Sequence, residues 1–261
     1  MDALILAAGY GSRLNPLFPS KPLATIHGVT LIEIAIRQLA TAGASRVCVA
    51  TGYNASEVEI ELARISARAE LEILSRRVSD WSKPNGFSVI AGSEPLSDTF
   101  LLVMGDHILS SRILCELARS HEDDRDVTLG IDRRINSPLI DPDDATWVKR
   151  HENGFIERIG KQMKNRCAVD CGAFLATSAL PEAIAEAIAE GASGSLSDGM
   201  QVIADRGRAA THDIGDAWWI DVDDPKAHAL AELQIAEHID IHTHPISAKE
   251  RNPAGIAASL P

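Results

Sequence analysis

The sequence predicts an α/β fold built on a mainly parallel, doubly wound sheet, and three observations lead there. Strand-like apolar runs alternate with helical segments through the first half, as successive βαβ units require. The first run, residues 3–8, is apolar without alternation and closes on Gly9, the mark of a strand buried on both faces. Past residue 145 the pattern changes to a hairpin and a further strand, which adds a β-rich region to one side of the sheet.

The elements follow in order. After the first strand, residues 9–22 carry glycines and prolines and form no regular element. Thr30 with Glu33 three residues later reads as a capping box that opens a helix. Residues 45–51 form a second buried strand, 55–68 a helix, 71–74 a short third strand and 87–91 part of a helix after a loop. Residues 100–104 form a fourth strand closed by Gly105-Asp106-His107, followed by a helix over 110–120 and a fifth strand over 126–131. Glu152-Asn153-Gly154 lies between two strand-like stretches, 146–150 and 155–159, and signals a hairpin. Residues 169–176 form another strand and 181–190 an alanine-rich helix. Asp224-Pro225 opens a last helix to about residue 238, with proline suited to the first turn. The simplest organisation is one domain over residues 1–240, with a nucleotide half to about 125 and an acceptor half from 126. Residues 241–261 form a peripheral tail whose histidines, with His238, read as tail residues and not as a metal cluster.

Composition narrows the function. A formal net charge of −12 disfavours nonspecific binding to nucleic acid, which needs a basic face. Anionic ligands must instead be held by a few placed cations and backbone N–H groups. Cys48, Cys115, Cys167 and Cys171 have neither zinc-ribbon spacing nor disulfide-scaffold density and read as buried reduced thiols. The N-terminus has no basic region with a cleavage site, and no apolar run reaches the ~18–20 residues that span a bilayer. A cytoplasmic protein fits, and an oligomer is compatible with the sequence.

The loop after the first strand is the most informative stretch: Leu6-Ala7-Ala8-Gly9-Tyr10-Gly11-Ser12-Arg13-Leu14, then Lys21-Pro22-Leu23. A loop leaving the carboxyl end of a strand lies where open α/β sheets bind ligands. Gly9 and Gly11 let the backbone approach phosphates, Ala7 and Ala8 leave room for a base and ribose, and Arg13 and Lys21 add charge-assisted bonds. A P-loop is excluded because Gly-x4-Gly-Lys-Ser/Thr is absent, and Leu14 replaces the third glycine of a dinucleotide fingerprint.

Two acidic elements follow. Asp106 ends the fourth strand, and Asp221 and Asp223 stand in Trp218-Trp219-Ile220-Asp221-Val222-Asp223. Alternation places the latter two on one side of an extended segment. Carboxylates converging from strand ends suit hard Mg²⁺, whereas His107 suits it poorly and reads as a positioning or packing residue. Asn85 and Ser88, in Asn85-Gly86-Phe87-Ser88, can read a base edge. Lys161 or Arg133 can meet an acceptor phosphate, Asp170 can accept from polyol hydroxyls, and Arg134 reads as a solvated surface residue.

Together these motifs resemble the nucleotidyltransferases that act on sugar phosphates: L-A-A-G-x-G-x-R-L with a later K-P-L, a strand-end G-D and a late W-x-D-x-D element. The resemblance implies a Rossmann-like mixed, mainly parallel sheet flanked by helices, with a β-rich acceptor-side region. It implies Mg²⁺ on Asp106 and Asp223 with Asp221, and a nucleotide site of Leu6, Ala7, Ala8, Gly9, Gly11, Ser12, Arg13, Lys21, Asn85, Ser88 and Asp106. Arg13, Lys21 and Asp106 would carry catalysis. Within that superfamily the parallels M-G-D-H, I-G-K, V-D-C-G and W-x-D-V-D, which run to about residue 235, are most similar to CTP:inositol-1-phosphate cytidylyltransferases. CTP and a phosphorylated polyol would then be the substrates. Some relatives are fused to a membrane synthase; here a separate one would consume the product. Phosphocholine or aminoethylphosphonate as acceptor, a uridylyl- or guanylyltransferase on a sugar phosphate, and an inactive nucleotide sensor are the alternatives.

Overall fold

The structure is a computed structural model and describes residues 1–14 and 17–239. In chain order the strands and helices are β1 (Asp2–Ala7), β2 (Thr25–Ile26), β3 (Val29–Thr30), α1 (Leu31–Thr41), β4 (Arg46–Thr51), α2 (Ala55–Ser66), β5 (Glu72–Arg77), α3 (Gly86–Ser93), β6 (Thr99–Met104) and β7 (His107–Leu109). They continue with α4 (Ser111–Leu117), β8 (Val127–Asp132), β9 (Trp147–Arg150), β10 (Ile156–Gly160), β11 (Ala168–Thr177), α5 (Ala179–Ala189), α6 (Leu196–Asp205), β12 (Ala209–Asp213), β13 (Trp219–Asp221) and α7 (Pro225–His238).

The sheet is mixed and flanked by helices. β5, β4, β1 and β6 are parallel neighbours in that order, and β11 joins antiparallel to β6. β11 also pairs with β8 and, at its start, with the β9–β10 hairpin, while β12 runs parallel to β8. β11 thus ties both halves of the chain into one sheet. Two-residue alternation divides the central strands between two cores. Ala3, Ile5, Val47, Val49, Leu101 and Val103 face α1, α2 and α4, whereas Leu4, Leu6, Cys48, Ala50, Phe100 and Leu102 face α3, α5 and α6. Each strand is apolar on both faces, which is why β1 shows no alternation in sequence.

A third apolar cluster lies off the sheet and positions the site. Leu14, Ile26, Ile34, Ile108, Ile220, Val222 and Ile235 pack together beneath the loop after β1, the β7–β13 pair and α7. Leu14 is fully buried and pins that loop; burying one such side chain stabilises by roughly 2 kcal/mol. β13 is further fastened by Asp132 at the end of β8. Its buried carboxylate accepts the Trp219 Nε1–H at 2.9 Å and the Arg134 guanidinium at 2.8 and 2.9 Å. Arg134 stays exposed at the surface, as expected, but is also a structural partner, since it donates to the Ala217 carbonyl at 2.7 Å.

Several local expectations change. Strand β5 runs on to Arg77 with polar residues because it is the edge of the sheet. Only half of the predicted capping box forms: Thr30 Oγ1 accepts from the Glu33 N–H, but the Glu33 carboxylate pairs with Arg37 and Arg68. All four cysteines are free; Cys48 and Cys171 are buried, while Cys115 and Cys167 are only half-buried. His238 is not a tail residue, since it ends α7 and stacks on Trp218 with ring centroids 4.9 Å apart. The predicted tail after residue 240, with His242 and His244, lies outside the described residues. Among the described residues no helix is long and apolar enough to cross a membrane.

Replacing Asp132 by Ala leaves the Trp219 N–H unpaired and the Arg134 charge without its partner, so urea unfolding should show a loss of about 3 kcal/mol. Burial raises the Asp132 carboxyl, but the bonds from Arg134 and Trp219 outweigh it and hold the group below its ordinary value. Its contribution is therefore present above the ordinary carboxylate range and lost as pH falls through the folded value, and Asp132→Ala should flatten the acid limb of the stability curve.

Candidate active site

The site forms at the carboxyl ends of β1 and β6, where β1 gives way to the glycine loop and β6 to Gly105-Asp106-His107. A cavity of about 470 Å³ opens there; Lys21, Asn85, Asp106, His107, Asp144, Lys161, Asp170, Asp221, Asp223 and Lys226 are among its walls. Asp221 and Asp223 reach it by period-two alternation, because Ile220 and Val222 turn into the third core and fix the opposite face.

Asp106, Asp144, Asp221 and Asp223 each have a cation beside them. Lys21 Nζ lies 2.5 Å from Asp106 Oδ2 and 3.9 Å from Asp221 Oδ1. His107 Nδ1 lies 2.8 Å from Asp106 and 3.7 Å from Asp221. Arg13 spans Asp223 and Asp144 and reaches Asp141 at 3.4 Å, and Lys161 lies 2.5 Å from Asp144. Burial opposes the charge on Asp106, yet Lys21 and His107 hold its carboxyl well below the usual range. Burial likewise opposes protonation of His107, but Asp221 and Asp106 raise it to about 9. Asp223 shows the opposite balance: burial and then Asp221 push it up to about 7. Asp221 is raised by burial as well.

Two glycines make this packing possible. Gly11 has φ +61°, and a Cβ there would lie 2.6 Å from Lys21 Cβ, so the turn is what lets Lys21 lie against the loop. Gly172 has φ +76° in an irregular stretch of β11, and a Cβ there would lie 2.5 Å from the His107 ring. The same stretch turns the Gly172 N–H onto Asp170 at 2.7 Å; burial raises the Asp170 carboxyl to about 6. The His107 ring stacks on Trp219 with centroids 5.7 Å apart.

Two groups of side chains bring ligand atoms within 4.8 Å of one another: Asp106, His107 and Asp221, and Asp144, Asp221 and Asp223. Asp221 belongs to both, and its Oδ1 is buried without a hydrogen-bond partner. A buried carboxylate oxygen left without a donor is costly, and a divalent cation satisfies it. The carboxylates of the two groups offer a hard divalent ion the oxygen ligands it prefers over an imidazole nitrogen.

Of the residues expected from sequence, Lys21, Asn85, Asp106, Lys161, Asp170, Asp221 and Asp223 come together around the cavity. Arg13 joins them through its carboxylate partners. Leu6, Ala7 and Ala8 are buried at the strand end, Gly9 and Ser12 lie in the loop, and Ser88 is buried in α3. Arg133 does not reach the cavity walls; it lies 3.6 Å from Asp213 at the end of β12, because the chain turns away after β8. Sequence reasoning missed Asp144 and Lys226. Asp144 follows Pro142 in a loop with no periodicity, although Asp141-Pro142-Asp143-Asp144 is an acidic turn signal directly ahead of a strand.

Residues 3–164 match the MobA-like NTP transferase domain. The chain belongs to that family. The bifunctional IPC transferase and DIPP synthase of Rubrobacter xylanophilus is 32% identical over 237 residues, 90% of this chain and 52% of that protein. A 2-aminoethylphosphonate cytidylyltransferase of Lancefieldella rimae is 31% identical over 120 residues, 42% of this chain and 47% of the relative. The chain spans about half the length, or less, of the curated relatives it matches. The inositol-1-phosphate CTP transferase structure from T. maritima superposes with a TM-score of 0.78 at 24% identity, covering 92% of this chain and 97% of that one. That likeness shows the fold, a Rossmann-like mixed, mainly parallel sheet flanked by helices.

Asp221→Asn keeps the shape of the side chain and removes one charge from both carboxylate groups. Titration calorimetry with Mn²⁺ should give binding weaker by about tenfold or more, with the circular-dichroism spectrum unchanged. Equal affinity in the variant would remove Asp221 from the metal-binding set.

Proposed function

We propose that the chain is a Mg²⁺-dependent cytidylyltransferase that joins CTP to inositol-1-phosphate and releases pyrophosphate. The observation that carries the reading is the group of carboxylates around Asp221, whose buried oxygen lacks a hydrogen-bond partner, set beside Lys21 at the end of the glycine loop. The relatives named for IPC transfer supply the direction in which substrate and acceptor are read.

In the reaction a phosphate oxygen of the acceptor attacks the α-phosphorus of CTP, and the bond from that phosphorus to the β-phosphate oxygen breaks. A phosphomonoester has its second pKa near ~6, so the nucleophile is already ionised at pH 7 and no general base is needed. Positioning and neutralisation of charge supply the rate. Arg13 and Lys21 bind the β- and γ-phosphates and stabilise the leaving pyrophosphate. Asp106, Asp221 and Asp223 hold Mg²⁺, which when bound offsets negative charge on the reacting phosphates. The Asn85 carbonyl oxygen accepts the Leu196 N–H at 2.8 Å, which fixes the side chain and leaves its amide N–H groups for acceptors on the base edge. Ser88 packs behind it. Lys161 and Asp170 face the acceptor, with Asp170 accepting from hydroxyl groups.

A second acceptor class follows from one feature of the cavity. Asp141, Asp144 and Asp170 line it, and carboxylates can hold an ammonium group, so aminoethylphosphonate belongs in the test.

Pyrophosphate release should be measured with Mg²⁺ for CTP, UTP, GTP, ATP and dTTP against inositol-1-phosphate, aminoethylphosphonate, phosphocholine and glucose-1-phosphate. Turnover should be confined to CTP with inositol-1-phosphate. Turnover with another pair replaces the acceptor, and nucleotide binding with no turnover in any pair identifies a sensor. Asp106→Asn should lower kcat by about 10²-fold or more, the scale on which removal of a charge-stabilising group is felt. Full activity in that variant would overturn its assignment.

A further inference from the structure

We infer that Lys226 binds the phosphate of the acceptor; the inference rests on the reading of the cavity as a nucleotidyl-transfer site. A phosphomonoester brings up to two negative charges into a cavity walled by Asp106, Asp144, Asp221 and Asp223. A cation that no carboxylate already holds can meet it without breaking an ion pair. Lys21 is held by Asp106 at 2.5 Å, and Lys161 by Asp144 at 2.5 Å. Lys226 lines the same cavity, is exposed, and among the described residues forms no ion pair or hydrogen bond with its side chain.

Its place in the fold points the same way. Lys226 is the second residue of α7, and Asp224 caps that helix by accepting the Ala227 N–H at 2.7 Å. A lysine in the first turn opposes the helix macrodipole, which favours anions at that end, and no carboxylate contact offsets the cost here. No ion pair among the described residues occupies this cation, so it is available to an anion in the cavity. The cap fixes the backbone of Lys226 three residues beyond Asp223, so a phosphate held there lies at the wall that carries the proposed metal-binding carboxylates. The bond is a charge-assisted N–H···O contact with no covalent step.

The test is steady-state kinetics of the full chain with CTP and inositol-1-phosphate. Lys226→Ala should raise KM for inositol-1-phosphate by on the order of tenfold or more while leaving KM for CTP within about twofold, and Lys226→Arg should recover most of the loss. Inorganic phosphate should lose potency as an inhibitor in Lys226→Ala, whereas uncharged inositol should inhibit both forms equally. An unchanged acceptor KM, or a rise in the KM for CTP instead, would overturn the assignment. If the unaltered chain makes no CDP-inositol, the cytidylyltransferase reading fails separately. Calorimetric binding of inorganic phosphate, tight in the unaltered chain and weak in Lys226→Ala, then decides on Lys226, and equal binding by the two rejects it.

Discussion

Asp106, Asp144, Asp221 and Asp223 share the wall of one cavity, and like charges that close to one another are tolerated only beside compensating cations. Much of the local structure follows from that constraint. Lys21 and His107 are held against Asp106, and Arg13 crosses from the glycine loop to Asp144 and Asp223. The balance is incomplete at Asp221, whose Oδ1 has no hydrogen-bond partner, and at Asp223, which burial and its neighbour raise to about 7. On the proposed reading, a divalent ion completes it.

The fold delivers these groups from well-separated stretches of chain. Asp106 comes with β6, a central strand whose position is fixed by β1 on one side and β11 on the other. Asp221 comes with β13, which pairs with β7 and so aligns directly opposite His107. Leu14, Ile220 and Val222 pack in one cluster, so the glycine loop and the acidic segment share a floor. Gly172 leaves space for His107, and Trp219 stacks on that ring while bonding to Asp132. A change at Asp132 or Gly172 is therefore felt at the site through packing.

What the sequence disclosed and what it hid divide along local and nonlocal lines. The unbroken apolar run of β1, the glycines with Arg13 and Lys21, and the alternation of Ile220, Asp221, Val222 and Asp223 are local patterns with one physical reading. The pairing of β7 with β13 is three residues long and joins positions more than a hundred apart, so no periodicity announces it. Asp144 is brought in by an irregular loop, and the direction in which Arg133 leaves β8 depends on the pairing of β12. Helix α6 was missed although Ser195 and Asp198 form a full capping box; aspartate stands where glutamate or glutamine is the usual signal, and Gly199 interrupts the helical pattern. Lys226 stands in the polar first turn of α7, and only the cavity beside it sets it apart.

The measurement that tests the central claim most directly is a crystal structure of the full chain with Mn²⁺ and a non-hydrolysable CTP analogue, read by anomalous scattering. The account predicts an anomalous peak bonded to Asp221 and to Asp106 or Asp223, with Arg13 and Lys21 turned to the phosphates. A peak elsewhere, or nucleotide bound with these carboxylates still paired only to Arg13 and Lys21, would contradict it.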